Sequence, residues 1–314
     1  MKKELFFNQG KFKILQFTDL HFSEDSELDH CTIDLMEKLI REEAPDFIFI
    51  TGDTVYGPNN DKYITKALQP VLDSRIPWSL TFGNHDTEEG VDYAPLFNII
   101  SSLPNCMTYN ADTSISGTGN HYCEVKNLQG ETKWILFGID SGNYNHLPDI
   151  EGYDYVKKDQ IDWFCNVIRD FEQEGKPFSA LVYMHIPLPE HKEVWDTQIC
   201  FGKKNEEVCC PCINSGFFAN MLEAGHTKGV FVGHDHVNDY FGSLHGITLG
   251  YGRATGYNTY GKDGYKRGAR IIILDEDNTE AFETYIRLED GMVIMEPKKH
   301  EPNRRGDREE AGNL

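Results

Sequence analysis

The sequence contains no hydrophobic run long enough to cross a membrane, and residues 1–13 include no apolar stretch of the length that a secretory signal needs. Basic residues are also fewer than acidic ones: the sequence has 30 Lys and Arg and 51 Asp and Glu, which gives a formal net charge of −21. Such a charge repels polyanions over most of the surface. We therefore predict a soluble, cytoplasmic protein whose partners include neither membranes nor nucleic acids, and nothing in the sequence implies an obligate protein partner.

Cysteine is sparse as well, with 8 residues in 314, and only Cys209, Cys210 and Cys212 lie close together. Small secreted scaffolds have a much denser cysteine framework, so that class is excluded. The three clustered thiols could bind a soft metal ion or form a disulfide, but adjacent cysteines do not easily complete a tetrahedral site and no second cluster completes one. We interpret the segment as a loop with free thiols.

Short apolar runs alternate with amphipathic stretches in the first half of the chain, which is the pattern of strands joined by crossover helices. The predicted strands up to residue 232 are 12–18, 47–51, 78–82, 122–126, 133–140, 179–184 and 229–232, and the predicted helices are 29–44, 62–74, 93–103, 157–174 and 215–224. Runs such as 47–50 are apolar on both faces, as expected for strands that are covered on both sides.

From Tyr240 onward the pattern changes to closely spaced strands, which predicts a final antiparallel portion. These strands are 240–244, 247–249, 269–274, 281–287 and 292–295. We predict a single α/β domain over residues 1–296. The tail 297–314 is charged and has no bulky apolar residue until its end, so it is predicted to be disordered.

Five short polar motifs stand at the downstream ends of predicted strands. They are Asp19-Leu20-His21, Gly52-Asp53, Gly83-Asn84-His85-Asp86, Met184-His185 and Gly233-His234-Asp235-His236. In open α/β sheets the carboxyl ends of the strands share one edge, and ligands bind there. We therefore expect these motifs to meet at one place, although long stretches of sequence separate them.

The residue types in the motifs are those that bind metals, namely imidazoles, carboxylates and one carboxamide oxygen. Each motif alone could be a turn or an ordinary polar group, but the five together favour a metal site. Seven such ligands exceed the needs of one ion. They suit two ions about 3.5–4 Å apart, bridged by one carboxylate, which is an arrangement for in-line displacement at phosphorus. Manganese, iron and zinc all accept this ligand set.

This combination resembles the signature of the calcineurin-like metallophosphoesterases, which is D-x-H, G-D, G-N-H-D/E, a lone His and G-H-x-H in that order. The resemblance runs from about Phe12 to His236. It implies a fold of two facing mixed β-sheets flanked by helices, a four-layer αββα sandwich. It also implies that Asp19, His21 and His236 bind one metal, that Asn84, His185 and His234 bind the other, and that Asp53 bridges them.

The same resemblance implies catalytic roles. A hydroxide that bridges the two metal ions is the nucleophile, and His85 acts at the leaving oxygen as a general acid or as a stabiliser of charge. Asp86 is expected to orient the His85 ring.

Within the superfamily, segments 136–142, 214–218 and 233–239 are similar to the branch related to the purple acid phosphatases. Those enzymes place a ferric-binding tyrosine three residues after the bridging aspartate, as Tyr56 follows Asp53 here. They lack a histidine at the position of His21, which this chain has. We interpret Tyr56 as part of the pocket wall, with a bond to iron as the alternative.

The glycine-rich stretch 250–257 follows a predicted strand soon after the last ligand. Two interpretations stay open: its loop borders the site and offers Arg253 to a phosphate, or its glycines serve only as turn residues.

The predicted function is hydrolysis of a small phosphorylated substrate, most plainly a phosphomonoester, by a binuclear metal enzyme. One alternative is a phosphodiesterase that acts on cyclic nucleotides, nucleotides or lipid head groups, since the same metal pair serves both ester classes. The other is a scaffold that keeps the fold without catalysis.

Overall fold

The computed structural model describes residues 4–302, and their strands form two sheets of nine and six strands. The strands are β1 (Leu5–Phe6), β2 (Lys11–Phe17), β3 (Phe47–Thr51), β4 (Trp78–Thr81), β5 (His121–Lys126), β6 (Thr132–Gly138), β7 (Ser179–Tyr183), β8 (Cys200–Phe201), β9 (Thr227–Val232), β10 (Phe241–Leu244), β11 (Ile247–Tyr251), β12 (Gly268–Asp275), β13 (Phe282–Leu288), β14 (Val293–Ile294) and β15 (Lys299–His300). The helices are α1 (Glu27–Glu43), α2 (Asn60–Ala67), α3 (Gln69–Ser74), α4 (Tyr93–Ser102), α5 (Lys158–Gln173), α6 (Glu190–Thr197) and α7 (Phe217–Ala224), with a 3₁₀ turn at His85–Thr87.

The six-stranded sheet has the order β14-β13-β12-β2-β3-β4. Strands β2, β3 and β4 are parallel, and β12, β13 and β14 extend the sheet in antiparallel fashion. All five residues of β3 are buried, as its apolar sequence predicts.

The nine-stranded sheet has the order β1-β5-β6-β7-β9-β11-β10-β8-β15. Its centre, from β6 to β11, is parallel, and β10, β8 and β15 continue it in antiparallel fashion. The predicted antiparallel final portion is therefore divided between the two sheets, since β10 and β11 join the larger one and β12 to β14 the smaller.

The two sheets face each other across an apolar core that includes Phe49 and Tyr183, whose rings stack with centroids 4.1 Å apart. A second core lies between the larger sheet and helices α5 and α7, where Phe164 meets Phe217. A third packs α1 to α4 on the smaller sheet. This arrangement confirms the predicted four-layer αββα fold.

Several elements differ from the sequence-based prediction. The helix predicted over 62–74 is two helices, α2 and α3, because Pro70 has no N–H to continue the first and instead starts the second. Helix α6 and the two-residue strands β1, β8 and β15 were not predicted.

The tail prediction is wrong at Lys299 and His300, which pair with β8. The ring of His300 stacks on Trp195 with centroids 3.7 Å apart, so this segment is fixed by packing as well as by its backbone. Residues 303–314 of the predicted tail lie outside the described residues.

Within residues 4–302, no helix combines the length and the apolar character that crossing a membrane requires.

A buried charge cluster joins α1 to the end of the smaller sheet. The Glu43 carboxylate accepts hydrogen bonds from Tyr285 Oη at 2.5 Å and Arg287 Nε at 2.6 Å, and Lys13 Nζ lies 3.4 Å away. Burial raises the pKa of Glu43, but the bonds from Tyr285 and Arg287 outweigh it and keep the pKa below its usual range.

We expect Glu43→Gln to lower the free energy of unfolding by about 2 kcal/mol at pH 7, because two bonds to a buried charge are weakened. A depressed carboxyl pKa contributes stability above its unfolded value and loses it as the pH falls through the folded value. The difference from the parent protein should therefore shrink below about pH 4. Urea unfolding between pH 7 and pH 3.5 measures it.

The exposed neighbour Glu42 provides the control, and Glu42→Gln should change the free energy of unfolding by less than about 0.5 kcal/mol. A Glu43→Gln deficit that stays constant down to pH 3.5 would contradict the assigned role of the charge.

Candidate metal centre

The predicted ligands lie where strands of both sheets end. Asp19, Asp53 and Asn84 come shortly after β2, β3 and β4 of the smaller sheet, and His185 and His234 follow β7 and β9 of the larger one. The facing sheets thus direct the carboxyl ends of their parallel strands to the same region, as open α/β sheets do at their binding edge.

The side chains form two groups of possible metal ligands in which the donor atoms all lie within 4.8 Å of one another. The first group is Asp19, His21, Asp53 and His236, and the second is Asp53, His185 and His234. All of these residues are buried, and Asp53 belongs to both groups. The structure therefore brings six of the seven predicted ligands together, with the Asp53 carboxylate common to both groups.

Asn84 is also completely buried, and neither atom of its side-chain amide forms a hydrogen bond. The same is true of His234 Nε2, while His21 Nε2 and Asp53 Oδ2 face each other at 3.3 Å without the geometry of a hydrogen bond. Buried polar atoms without partners cost free energy, so their concentration at one place requires an explanation. Metal ions bound by these nitrogen and oxygen donors would supply the missing partners, and the residues fit a binuclear centre.

Hydrogen bonds fix the orientation of the histidine rings. His185 donates from Nδ1 to the carbonyl oxygen of Thr51 at 2.8 Å, and its Nε2 faces Asp53 Oδ2 at 3.2 Å. On the other side, His236 Nδ1 lies 2.5 Å from Thr259 Oγ1. Such contacts set the tautomer and the direction of a ligating imidazole.

The Asp53 carboxylate carries a negative charge. Burial alone raises the pKa of Asp53, but the rings of His185 and His21 outweigh burial and hold that pKa well below the usual range. Burial likewise lowers the pKa of His185, yet the Asp53 carboxylate prevails and raises it to about 9. The carboxylate is therefore ionised, which is the state that binds a metal.

The backbone at the site is strained. Among the described residues, four of the eleven non-glycine residues with positive φ are predicted ligands: Asp19 at 53°, His21 at 48°, Asp53 at 50° and His234 at 78°. Left-handed backbone is unfavourable for side chains of this kind and persists where the surrounding structure imposes it. The carbonyl oxygen of Asp53 provides part of that restraint, because it accepts a hydrogen bond from the N–H of His21 at 2.9 Å.

Two glycines of the motifs are required by close contacts. A Cβ atom on Gly83 would collide with the backbone nitrogen and carboxylate of Asp53, and one on Gly233 would collide with Thr18 Oγ1. The glycine before each ligand thus allows the neighbouring strand ends to approach each other.

The expected role of Asp86 is wrong. Its carboxylate accepts hydrogen bonds from the backbone N–H groups of residues 53–55, at 2.8–3.0 Å, and of Gly83 at 2.7 Å. With both oxygens used in this way, Asp86 fixes the loop that carries the Asp53 carboxylate and does not orient the His85 ring. Asp86 points into this loop although it is next to His85 in sequence, because carboxylates in short turns tend to accept hydrogen bonds from nearby backbone N–H groups.

The partner of His85 is Glu88, whose Oε2 makes a short hydrogen bond with His85 Nδ1. The other oxygen, Oε1, accepts a hydrogen bond from Tyr144 Oη at 3.1 Å. Sequence reasoning missed both residues. The spacing of three between His85 and Glu88 across the 3₁₀ turn could have indicated the first contact, but no sequence signal identifies Tyr144.

The remaining candidates lie in different surroundings. The ring of Tyr56 is exposed and meets the rings of His85 and His21 with centroids 5.2 and 6.2 Å apart. Arg253 is buried, forms an ion pair with Asp239 and lies over the ring of Tyr265. The structure therefore does not support the interpretation in which Arg253 binds a phosphate at the site.

The cysteine-rich loop lies near the site. Cys209, Cys210 and Cys212 are all free thiols, in agreement with the interpretation of the sequence. The N–H of Cys209 donates to Asp235 Oδ1 at 3.3 Å, between the two histidines of the last motif.

Comparisons with known proteins agree with this geometry. The family model for calcineurin-like phosphoesterase matches residues 12–238. "Probable inactive purple acid phosphatase 29" from Arabidopsis thaliana is 34% identical over 331 residues, which cover 92% of this chain and 85% of that protein.

Solved structures show the same fold. A dimetal phosphatase from Danio rerio has a TM-score of 0.61 at 11% identity, covering 91% of this chain and 99% of that chain. A purple acid phosphatase from yellow lupin (Lupinus luteus) seeds has a TM-score of 0.57 at 12% identity, covering 95% of this chain and 55% of that one. Because the motif order, the two facing sheets and the match over residues 12–238 all agree, the chain belongs to the calcineurin-like phosphoesterase family.

Proposed function

We propose that the chain hydrolyses phosphomonoesters with the help of two metal ions. The observation that carries this proposal is the position of Asp53, a fully buried carboxylate shared by two groups of metal-binding side chains. A single shared carboxylate between two such groups is the arrangement that two-metal phosphoesterases use.

One metal would be held by Asp19, His21, Asp53 and His236, and the other by Asp53, Asn84, His185 and His234. Manganese, iron and zinc all suit these donors. When bound, such a pair activates a water molecule for attack and neutralises charge on the phosphoryl oxygens.

His85 would act at the leaving oxygen. Its backbone N–H donates to Asp53 Oδ1 at 2.9 Å, and its ring lies beside that of His21 with centroids 5.1 Å apart, at the edge of the candidate ligands. The Glu88 carboxylate contacts Nδ1 and so holds the ring in one orientation, in which Nε2 is the atom that would meet the departing alkoxide.

A phosphodiesterase remains the second candidate, since the metal pair suits both ester classes. Comparing hydrolysis of a bis-aryl phosphate with that of a mono-aryl phosphate separates the two, and a higher kcat/KM for the monoester supports our proposal. The relative from Arabidopsis carries the word inactive in its name. In this chain every predicted ligand is buried at the site and His85 is in place, which supports catalysis over a scaffold role.

We expect Asp53→Asn to lose the metals and to reduce phosphatase activity at least ~100-fold, because the shared ligand no longer carries a charge. Elemental analysis of protein purified without chelators should find two metal ions per parent chain and fewer in the variant. The exposed Asp263→Asn provides a matched control and should keep both metals. An Asp53→Asn variant with full metal content and full turnover would refute the assignment.

We expect Glu88→Gln to slow hydrolysis of alkyl phosphates about 100-fold while changing that of p-nitrophenyl phosphate by less than about fivefold. Poor leaving groups need a proton from a well-oriented His85, and nitrophenolate does not. The measurement is kcat on both substrates, with Glu89→Gln as the exposed neighbouring control. An equal loss on both substrates would argue against action at the leaving group.

A further inference from the structure

The exposed tyrosines of this chain are concentrated at the candidate metal centre. The sequence has 15 tyrosines, all within the described residues, and three of them have exposed side chains. These are Tyr56, Tyr144 and Tyr260, with 39%, 37% and 54% of their surface accessible. Since the other twelve are buried or half-buried, exposure at this one region requires a reason beyond packing.

Two of the three lie around His85. The edge of Tyr56 meets the His85 ring at 88° with centroids 5.2 Å apart. Tyr144 reaches the same histidine through Glu88, which bonds to both residues. Aromatic rings from two separate loops therefore border the side of the site where the leaving group would depart.

The position of Tyr144 is determined by its neighbours. Its ring packs on Tyr153 at an interplanar angle of 22° with centroids 5.6 Å apart, and Tyr153 in turn meets His234 edge-on at 4.3 Å. Together with the bond from its hydroxyl to Glu88, these contacts hold Tyr144 in place before a ligand arrives, which lowers the entropic cost of binding.

Tyr260 serves a different purpose. Its ring stacks on His236 with centroids 4.2 Å apart, and its hydroxyl donates to Glu206 Oε2 at 2.7 Å. Because these contacts support a predicted metal ligand, we assign Tyr260 to the metal centre rather than to substrate recognition.

We propose that Tyr56 and Tyr144 bind the flat ring of the leaving group, so that the preferred substrates are phosphomonoesters of aromatic groups, either aryl esters or nucleotides. This inference rests on the proposed function for the position of the phosphate. Aromatic side chains bind flat rings through their π faces, with little dependence on the identity of the ring. Glu88, which contacts both Tyr144 and His85, disfavours leaving groups that carry a second negative charge.

The test compares two inhibitors of similar size that differ in flatness. Phenylphosphonate and cyclohexylphosphonate are titrated by calorimetry into the manganese-loaded protein, so that the measurement does not depend on turnover. We expect phenylphosphonate to bind about five times more tightly. Tyr56→Leu and Tyr144→Leu should each reduce this preference to about twofold or less, whereas Tyr56→Phe and Tyr144→Phe, which keep the ring, should retain it.

The affinity for cyclohexylphosphonate is the internal control and should stay within about twofold in all four variants, since the metals and the phosphonate contacts are unchanged. Equal affinities for the two phosphonates in the parent protein, or a preference that survives in both leucine variants, would overturn the inference. Hydrolysis of phosphotyrosine and of adenosine 5′-phosphate, each compared with phosphoserine, distinguishes aryl esters from nucleotides.

Different experimental results would contradict this inference and the proposed function. Turnover of phosphomonoesters without any preference for the flat ring overturns this inference and leaves the proposed function intact. If the protein binds the flat ring preferentially and the leucine variants lose this preference, ring recognition is supported even when no ester is hydrolysed. The absence of hydrolysis then counts only against the proposed function.

Discussion

The arrangement of the site depends on one buried carboxylate, that of Asp53. It is inaccessible to solvent and lies 3.3 Å from His21 Nε2 and 3.2 Å from His185 Nε2, one from each group of metal-binding side chains. An ionised carboxylate in such surroundings is stable only with positive partners at short range. The imidazoles meet part of that need, and metal ions would meet the rest. The shared position of Asp53 makes the two groups of ligands a single site.

The surrounding structure holds this carboxylate in an unfavourable backbone conformation. Asp53 has a positive φ, and its loop is fixed by the Asp86 carboxylate and by the close approach of Gly83. Neither contact would hold the Asp53 backbone in this conformation if the two sheets could move relative to each other. The apolar core between them, where Phe49 stacks on Tyr183, supplies the rigidity on which the strained loops rely.

The family motifs account for the metal ligands but not for the rest of the site. Glu88 and Tyr144 lie outside the motifs and determine how His85 is presented, and Thr259 contacts the outer nitrogen of His236. These residues come from loops, which carry much of the individuality of enzymes that share a fold. The candidate ligands thus come from the family motifs, whereas the contacts of His85 and His236 come from residues outside them.

The sequence by itself predicted the longer strands, most of the helices and the residues that meet at the candidate metal centre. Strand β3 was predicted at its observed bounds because a fully apolar run has a local signature, and the five motifs were recognisable because metal binding demands particular residue types. The tertiary structure alone decided which sheet β10 and β11 join, that Lys299 and His300 form a strand, and that Glu88 rather than Asp86 faces His85. The physical reason is the range of the interactions. Periodicity and ligand chemistry can be seen within a few residues, but the partner of a carboxylate or of a strand edge depends on which distant segment reaches it in the folded chain.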